Sequence, residues 1–435
     1  MERKKFKFSR SKNKEVEGVF EGGNITQDGG LLIAKEVEDM LGLSKSAAAA
    51  IKDGRNKSYV THALEDILKQ RIYGLLGGYE DLNDHISIRE DVHFQTLVGK
   101  DRELASNATL SRFENSITRE DVMKLCLVLI ENFIERTEKE PEKIVLDFDP
   151  TDCTIYGKQE GRFYHGYYKD YCFLPLHVFS GDELVTTLLR PSNIDGAKYA
   201  GAILKIIVAK IRDKWPKMRI IFRGDSAFAR KHIFHWCENN DVEYIVGIGA
   251  NKVLQSEVEE RENALVSKQK ESGDDQKEYI SFYYKAASWK KERRIIAKLE
   301  ASSRGINRRF LVTNNSFKTP EELYKQEYCP RGDMENKIKQ MKLDLCADRL
   351  SCSKFLANQF RNFLAAFAYI IATTVRKRLL AGTELANAYC GRIMLKLFKI
   401  SAVIVEKKTK ITYLFSSNFP FKELFASAMK KLNPV

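Results

Sequence analysis

The sequence has little of what marks several large classes of protein. It contains only 9 prolines and 25 glycines among 435 residues, which excludes a collagen-like or Pro-rich fibre. Its longest strongly apolar run, residues 363–375, is shorter than the roughly 18 residues that a membrane-spanning helix needs. No apolar segment follows the basic N-terminus as it would in a signal peptide. These absences predict a soluble, cytoplasmic protein with no membrane partner.

The cysteines and glycines exclude two further kinds of site. Eight cysteines are present, but none forms a CxxC pair, which argues against structural zinc and against a disulfide framework. Reduced thiols in a cytosol are therefore expected. No Walker-type glycine loop occurs either, so the sequence predicts no nucleotide cofactor.

Positive charge is in excess and is concentrated at the two ends of the chain. The formal net charge is +13, whereas residues 1–14 alone carry +6 and residues 331–435 carry +12. The middle of the chain is therefore net −5. Basic ends around an acidic centre suit a polyanion held at the flanks. Solvated basic helices with no ligand are the alternative that charge alone leaves open.

The N-terminal part of the sequence has helical periodicity. Apolar residues recur at three- and four-residue steps from Leu31 to about Arg136, and the 43% of apolar residues is enough for a sizeable core. This pattern predicts an all-helical domain over residues 1–140. Around residues 107–113 the pattern leaves two alternatives open, a helix-turn-helix and a plain helical bundle.

From about residue 141 the pattern changes to alternating strands and helices, which predicts an α/β layer with a mixed sheet. Strands are expected at 143–149, 171–179, 183–189, 218–222 and 242–248, and helices at 199–211 and 227–238. Three strands at 279–284, 294–297 and 309–312 lie between charged stretches and predict a β-rich insertion. The predicted domains are residues 1–140, the α/β core 141–250 and 318–380, the insertion 251–317, and a basic C-terminal region 381–435.

Two aspartates stand at the ends of buried runs. Asp149 ends the run IVLDFD, and Asp225 ends the run RIIFRGD. Because ligands gather at the carboxyl ends of strands in α/β sheets, these side chains could lie side by side across adjacent strands. A cap or turn role is the alternative for each of them.

Helical spacing singles out Glu335 as a third acidic candidate. Arg331, Glu335 and Lys342 are separated by 4 and 7 residues, so they fall within a narrow arc of one helix face. Helical periodicity resumes at Glu321 and runs, with breaks, to about Leu380. Pro330 suits the first turn of the helix that carries these three residues, which predicts Tyr328 just outside it, near the N-cap. A solvated ion pair between Arg331 and Glu335 is the alternative when this segment is taken alone.

Taken together, the three acids predict a metal-dependent site. Asp149, Asp225 and Glu335 could hold two divalent cations with oxygen ligands, preferably Mg²⁺ or Mn²⁺. Such a pair activates a water or a hydroxyl for phosphodiester cleavage or strand transfer. Arg331 and Lys342 beside it would bind phosphates.

These residues carry a resemblance to a known family. The spacing of Tyr328, Arg331, Glu335 and Lys342 is similar to the Tyr-x2-Arg-x3-Glu-x6-Lys signature of DDE transposases from bacterial insertion sequences. More narrowly, the sequence resembles the insertion-sequence family thirteen-eighty over roughly residues 15–415. The stretches that carry this likeness are LDFDPTD, EGRFYHGYYKDYCFLPLHVFSGD, LRPSNIDGA, RGDSAFAR, YCPRGDMENKIKQMKLDLCADR and LANQFR.

The resemblance implies a ribonuclease-H-like core interrupted by the β-rich insertion. It also implies that Asp149, Asp225 and Glu335 are the catalytic, metal-holding acids. Asp149 fits the family's first acid as Asp-Pro-Thr, although Asp147 and Asp152 are close by.

The resemblance also implies DNA contacts. Tyr328, Arg331 and Lys342 would touch the transposon-end DNA. Trp289 would stack on a flipped base, with a buried core role as the alternative. For His165, which lies among aromatic residues, the sequence favours core packing over a role near the metals.

The implied function is a transposase of the bacterial cytoplasm, associated with the nucleoid. It would bind the terminal inverted repeats as a homodimer on DNA, cut them, and join the 3′-hydroxyls to target DNA. Two rivals stay open at this point. One is a ribonuclease-H-like nuclease or resolvase without strand transfer, and the other is a domesticated DNA-binding protein that has lost catalysis.

Overall fold

The computed structural model describes residues 5–432. Residues 1–4 and 433–435, which belong to the predicted basic ends, lie outside the described residues. In chain order the strands are β1 Phe6–Ser11, β2 Lys14–Gly18, β3 Ile25–Thr26, β4 Lys143–Pro150, β5 Cys153–Thr154, β6 Phe163–His165, β7 Asp170–Phe173, β8 Leu176–Ser180, β9 Glu183–Leu188, β10 Arg219–Gly224, β11 Glu243–Ile248, β12 Gln276–Tyr284, β13 Arg293–Ser302, β14 Gly305–Thr313, β15 Ala402–Lys407 and β16 Lys410–Phe415.

The α-helices are α1 Leu31–Leu41, α2 Leu43–Ala50, α3 Leu64–Gly77, α4 His85–Ile88, α5 Val92–Val98, α6 Asn107–Glu114, α7 Arg119–Arg136, α8 Ala200–Lys214, α9 Lys231–Asn239, α10 Lys252–Ser256, α11 Glu259–Ser272, α12 Pro320–Glu322, α13 Asp333–Leu343, α14 Phe355–Thr374, α15 Cys390–Ile393 and α16 Lys422–Leu432. Short 3-10 turns occupy Lys57–Tyr59, Ser226–Phe228 and Cys329–Gly332, and π-helical segments occupy Leu323–Tyr328, Val375–Leu379 and Met394–Phe398. None of the helices within residues 5–432 is long and apolar enough to cross a membrane.

The chain divides into two compact units. The first contains the chain up to Ala49, Asp53–Phe113 and the chain from Phe367 onwards, and the second contains Ala50–Lys52 and Glu114–Ala366. The predicted boundaries at residues 140 and 380 therefore differ from the boundaries of these units. The role of residues 1–140 in binding DNA ends stays a prediction.

The first unit joins the two ends of the sequence. β15 pairs antiparallel with both β3 and β16, so a strand from the C-terminal region completes a sheet begun near the N-terminus. Gly30 permits this approach, because a Cβ there would lie 1.9 Å from the carbonyl oxygen of Leu397. β1 and β2 form a separate exposed hairpin, so the N-terminal segment contains short strands besides its helices.

An eight-stranded mixed sheet forms the centre of the second unit. Its strand order is β12-β13-β14-β11-β10-β4-β8-β9. β10 runs parallel to β4 and to β11, whereas β8 is antiparallel to β4 and to β9. The sheet and its helices make this unit a mixed α/β structure, as the alternation in the sequence predicts. The single strand predicted at 171–179 is instead two strands in different sheets, β7 and β8, with Pro175 between them.

Both faces of this sheet are covered by helices. Ile144, Leu146 and Phe148 alternate along β4 and belong to one large core, which also contains residues of α7, α8, α9 and α11. The side chains between them, including Val145, point to the opposite face, where Ile221 and a smaller apolar cluster lie. Because α7 buries its apolar residues in the large core, it belongs to the second unit although it precedes residue 140.

The region predicted as a β-rich insertion extends the central sheet. The three predicted strands lie within β12, β13 and β14. β14 pairs antiparallel with β11, and β13 pairs with both β12 and β14. Two helices that the sequence analysis did not predict, α10 and α11, precede these strands.

A buried ion pair ties the two central parallel strands together. Arg223 of β10 donates from Nε and Nη2 to the two carboxylate oxygens of Asp147 in β4, and the Nη2–Oδ2 distance is 2.7 Å. Arg223 also donates from Nη1 to the carbonyl oxygen of Glu327. Asp147 and Arg223 are 2% and 6% exposed. Removing one partner of such a pair leaves an uncompensated buried charge.

We expect Asp147→Ala to lower the free energy of unfolding by about 3–5 kcal/mol, because the Arg223 guanidinium would stay buried without its counter-charge. Urea unfolding of the variant beside the unaltered protein measures this loss. Asp213→Ala, which removes an exposed carboxylate from α8, serves as the control and should cost less than about 0.5 kcal/mol. A double variant, Asp147→Leu with Arg223→Met, should recover much of the loss. An equal loss in the single and double variants would contradict the buried-charge explanation.

Candidate active site

Two candidate acids lie side by side at the carboxyl ends of neighbouring parallel strands. The last in-register pair between β4 and β10 is Phe148 with Gly224, and Asp149 and Asp225 are the next residues on each strand. On the far side of β10, Gly224 pairs with Val246, so Gly247 of β11 continues the same row. The regular register of parallel strands thus places two carboxylates next to each other, with a glycine beside them.

Asp225 also has a local structural role. Its Oδ1 accepts a hydrogen bond of 2.9 Å from the backbone N–H of Ala227, which caps the short turn Ser226–Phe228. The sequence left the cap and the catalytic role as alternatives. The structure shows the cap together with a position in the carboxylate row, and one carboxylate can serve both purposes.

Asp149 is partly buried, with one cation and several acids near it. Its side chain is 14% exposed. Burial raises the pKa of the Asp149 carboxyl to about 7, and the positive charge of Arg331 opposes this rise. The negative charges of Asp225 and Glu335 raise the pKa further. Asp225 and Glu335 are therefore near enough to act electrostatically on Asp149.

One helical run brings the third acid and its neighbours to this row. It begins at Pro320, where Thr319 and Glu322 form a capping box, and it continues without a break to Leu343. This run confirms the helical pattern predicted from Glu321, but the separate helix start expected near Pro330 is wrong, because Tyr328 lies inside the run. The run passes from π-helical to 3-10 geometry at Cys329, next to Pro330, which has no N–H to donate.

Arg331 and Tyr328 both reach the carboxylate row. Arg331 Nη1 donates to Asp149 Oδ1 at 3.2 Å, and its guanidinium lies 5.8 Å from the centre of the Tyr328 ring. The Tyr328 hydroxyl lies beside Gly247, since a Cβ added to that glycine would be 3.1 Å from the phenol oxygen and 3.0 Å from the backbone nitrogen of Ser226. The absence of a side chain at Gly247 therefore lets the tyrosine and the Asp225 turn approach β11.

Glu335 and Lys342 lie on α13, further along the same run. Glu335 is exposed to solvent. Lys342 Nζ donates to Asp152 Oδ1 at 3.3 Å. Each of the three nearby aspartates thus forms an ion pair with a different basic side chain. The pairs are Asp147 with Arg223, Asp149 with Arg331, and Asp152 with Lys342.

The donor set suits an oxygen-preferring cation, although its members are not gathered into a formed metal centre. Within residues 5–432 no group of three or more His, Cys, Asp or Glu side chains is arranged to hold a metal ion. Burial is the main cause of the raised pKa of Asp149, and a divalent cation would stabilise the charged form of this carboxyl in place of Arg331. The residue types fit Mg²⁺ or Mn²⁺, and the two-ion site stays a prediction.

Trp289 lies in the core of the second unit. It is 7% exposed, and its ring centroid is 5.6 Å from Tyr284 and 6.0 Å from Phe234. The Arg293 guanidinium covers it at 4.8 Å. This is the packing role that the sequence analysis gave as the alternative, and base stacking by Trp289 would require the indole to leave the core. His165 is half-buried, with its ring 4.9 Å from that of Tyr168.

Sequence reasoning missed three residues around the row. Arg223 gave no signal of its own, because its partner Asp147 is remote in sequence. Gly247 could have been found, since a glycine inside the strand EYIVGI indicates close approach of another group. His177 of β8 pairs directly with Asp149, and its Nδ1 lies 2.9 Å from the Thr187 hydroxyl. Burial, aided by the positive charge of Lys342, lowers the pKa of His177 to about 3, so this histidine is neutral.

Comparison with known proteins identifies the family. No curated protein matches the sequence. Among solved structures, the chain is similar to a piggyBac transposase in a synaptic complex with hairpin DNA, with 13% identity, a TM-score of 0.43, and coverage of 86% of this chain and 80% of that chain. Residues 8–435 match the family described as Transposase DDE domain group 1. Since this match spans nearly the whole sequence, the chain belongs to the DDE transposase family.

Proposed function

We propose that this protein is a DNA transposase that binds terminal inverted repeats, cleaves the ends of its element and joins the 3′-hydroxyls to target DNA. The observation that carries the proposal is the row formed by Asp149 and Asp225 at the ends of β4 and β10, with Arg331 on Asp149 and Glu335 within electrostatic reach. The chemistry of this row matches the activity of the family to which the chain belongs.

The strand order supports a ribonuclease-H-like core. The five strands β9-β8-β4-β10-β11 form one continuous part of the sheet, in which only β8 runs against the others. In this proposal the strands β12 to β14 are the insertion, which lies between the second and third acids in the sequence. The site would then lie where ligands gather in α/β folds, at the carboxyl ends of central parallel strands.

Asp149, Asp225 and Glu335 would hold two divalent cations, Mg²⁺ or Mn²⁺. When bound, such ions activate the attacking water or 3′-hydroxyl and stabilise the leaving oxygen. The chain's own residues would position the DNA. Arg331 would release the Asp149 carboxylate and bind a DNA phosphate instead, because its fork-shaped guanidinium binds either group in the same way. Lys342 would contact a second phosphate as a point charge.

Binding of DNA would depend on the basic ends of the chain. Phosphate contacts by lysine and arginine release counterions, so the affinity should fall steeply with salt. Two element ends must be held together for coupled joining, which favours a homodimer on DNA. Sequence-specific contacts to the repeats would come from the first unit, which contains the N-terminal helices and the basic C-terminal region.

We expect Asp149→Asn, Asp225→Asn and Glu335→Gln each to reduce Mg²⁺-dependent cleavage of the element's ends by more than about a hundredfold. The physical reason is that each change removes a negatively charged ligand worth several kcal/mol of transition-state stabilisation. Cleavage of labelled duplexes that carry the inverted repeats flanking the coding sequence measures the effect.

Asp333→Asn is the matched control, because it neutralises an exposed carboxylate in the first turn of α13, two residues before Glu335. It should cleave as the unaltered protein does. Cutting retained by any one of the three variants would remove that residue from the site. Cutting without joining to a target plasmid would favour the nuclease alternative over a transposase.

The close approach at Gly247 can be tested by adding a single methyl group there. Gly247→Ala places a Cβ 3.0 Å from the Ser226 nitrogen and 3.1 Å from the Tyr328 hydroxyl, so the Asp225 turn or the tyrosine must shift. We expect a loss of about 1–3 kcal/mol in the free energy of unfolding, as in other overpacked sites, together with slower end cleavage. Chemical unfolding and the cleavage assay measure the two effects.

Gly249→Ala tests the same substitution two residues further on, where a Cβ would meet nothing within 4 Å. This control variant should match the unaltered protein in both assays. If the two alanine variants behaved alike, close approach at Gly247 would not be what positions the Asp225 turn.

A further inference from the structure

A small sheet beside the candidate active site exposes several aromatic side chains. β5, β6 and β7 form this sheet in the order β5-β7-β6. Four tyrosines in it and its connecting loops, which we call the tyrosine patch, are strongly exposed, with Tyr156 at 91%, Tyr164 at 56%, Tyr167 at 83% and Tyr171 at 46%. Large aromatic side chains grouped on a surface commonly mark a binding site.

Packing does not account for the tyrosine patch. The apolar side of the small sheet is already buried, since Cys153, Ile155 and Phe173 form a core cluster with Leu189 and Leu350. The four tyrosines contribute nothing to that cluster. Their exposed rings are therefore available to a partner.

The geometry of the patch suits flat, aromatic ligands. Tyr164 of β6 pairs directly with Tyr171 of β7, and their rings meet edge to face with centroids 5.7 Å apart. The guanidinium of Arg162 lies 4.5 Å over the Tyr171 ring. Such an arrangement adds a cation to a pair of rings, and unpaired nucleic-acid bases stack on platforms of this kind.

The patch is continuous with the carboxylate row. β5 begins at Cys153, four residues after Asp149 in the sequence, and Asp152 between them binds Lys342. Tyr168, whose ring touches that of Tyr167 with centroids 5.0 Å apart, is near enough to Asp152 and Asp149 that their charges contribute to a raised pKa of its phenol, after the larger effect of burial. A DNA strand whose phosphate lies at the row would thus have its next bases near the patch.

Charges around the patch also favour a nucleic acid. Lys158 and Lys169 are exposed beside it, and Arg162 covers one of its rings. The two acids of the same segment are engaged with backbone N–H groups, Glu160 with that of Phe355 and Asp170 with that of Tyr171. Cations next to exposed rings match a strand of phosphates and bases.

We propose that the tyrosine patch binds unpaired bases of the DNA strand next to the cleaved bond. This inference rests on the proposed transposase function and adds to it a site for locally melted DNA. Bases inside a duplex have both faces covered by stacking, so exposed rings can stack only on bases that have left the helix. Trp289, which is buried, does not offer such a surface in this structure.

Binding of a labelled oligothymidine, compared with a duplex of equal length, tests the proposal in EDTA, where no cleavage occurs. The double variant Tyr164→Ala with Tyr171→Ala should bind the single strand about tenfold more weakly, because stacking contributes strongly to the affinity for each base. Its affinity for the duplex should change less than about twofold, because duplex binding depends on phosphate contacts.

Two control variants and one further loss-of-binding variant sharpen this measurement. Tyr164→Phe with Tyr171→Phe keeps the rings and should bind the single strand as the unaltered protein does. Tyr283→Ala removes a tyrosine of β12 that is 65% exposed but lies outside the patch, and it should have no effect. Tyr167→Ala, at a loop position that is 83% exposed, provides a second loss-of-binding variant if the double variant folds poorly.

The outcomes separate this proposal from the proposed function. Unchanged single-strand affinity in the alanine variants, or an equal loss for single strand and duplex, would overturn the patch even if the protein cleaves its ends with Mg²⁺. Selective loss for the single strand would support the patch even if cleavage were absent, and the missing cleavage would then count against the transposase chemistry alone. In a cleaving protein, replacing the base pairs at the cut by mismatches should largely restore the activity of the alanine variants, since these bases are already unpaired.

Discussion

The fold of the second unit depends on ion pairs that neutralise carboxylates held away from water on one face of its sheet. Asp147 and Asp149 alternate with apolar residues along β4, so the strand that buries Leu146 and Phe148 on one face holds two carboxylates on the other, with Asp147 buried and Asp149 partly buried. A buried carboxylate without a partner would cost several kcal/mol. Arg223 meets the first of these charges and Arg331 meets the second.

The two ion pairs differ in a way that suits different tasks. Arg223 holds both oxygens of Asp147 and also bonds the carbonyl oxygen of Glu327, so it fixes β4, β10 and the helical run relative to one another. Arg331 makes a single bond of 3.2 Å to Asp149, whose pKa is raised by burial and by neighbouring acids. The first pair is a fixed part of the framework. In the proposed function the second pair would open, with Arg331 moving to a phosphate and Asp149 to a cation.

The same face explains why the helical run matters for the site. Leu323 and Tyr324 pack in the apolar cluster on this face, and Tyr328, Arg331 and Glu335 follow them toward the ends of the strands. The apolar contacts anchor the run, while Gly247 lets Tyr328 approach the third strand of the row. The aromatic residues also fall into a buried and an exposed group. Trp289 lies in the core, whereas the tyrosine patch is exposed.

The sequence by itself determined most strands and helices of the α/β part and the DDE transposase family, because strand alternation, strand-end aspartates and the spacing from Tyr328 to Lys342 are local patterns. It did not separate β7 from β8, and it did not predict β5 or β6. It also predicted three strands in the insertion at the positions where β12, β13 and β14 occur. It placed the return of helical pattern at Glu321, next to the cap by Thr319, but it also expected a separate helix start near Pro330, because proline fits the first turn and is also tolerated inside a run with altered geometry.

Only the tertiary structure decided which residues share a neighbourhood. The pairing of Asp147 with Arg223, the place of Gly247 beside Tyr328, and the joining of β3 with β15 all link residues far apart in the chain. Burial separated Trp289 from the exposed tyrosines for the same reason. Local periodicity shows on which face of its own helix or strand a side chain lies. The residue that it contacts across that face depends on how the helices and strands pack, and no short segment of sequence contains that packing.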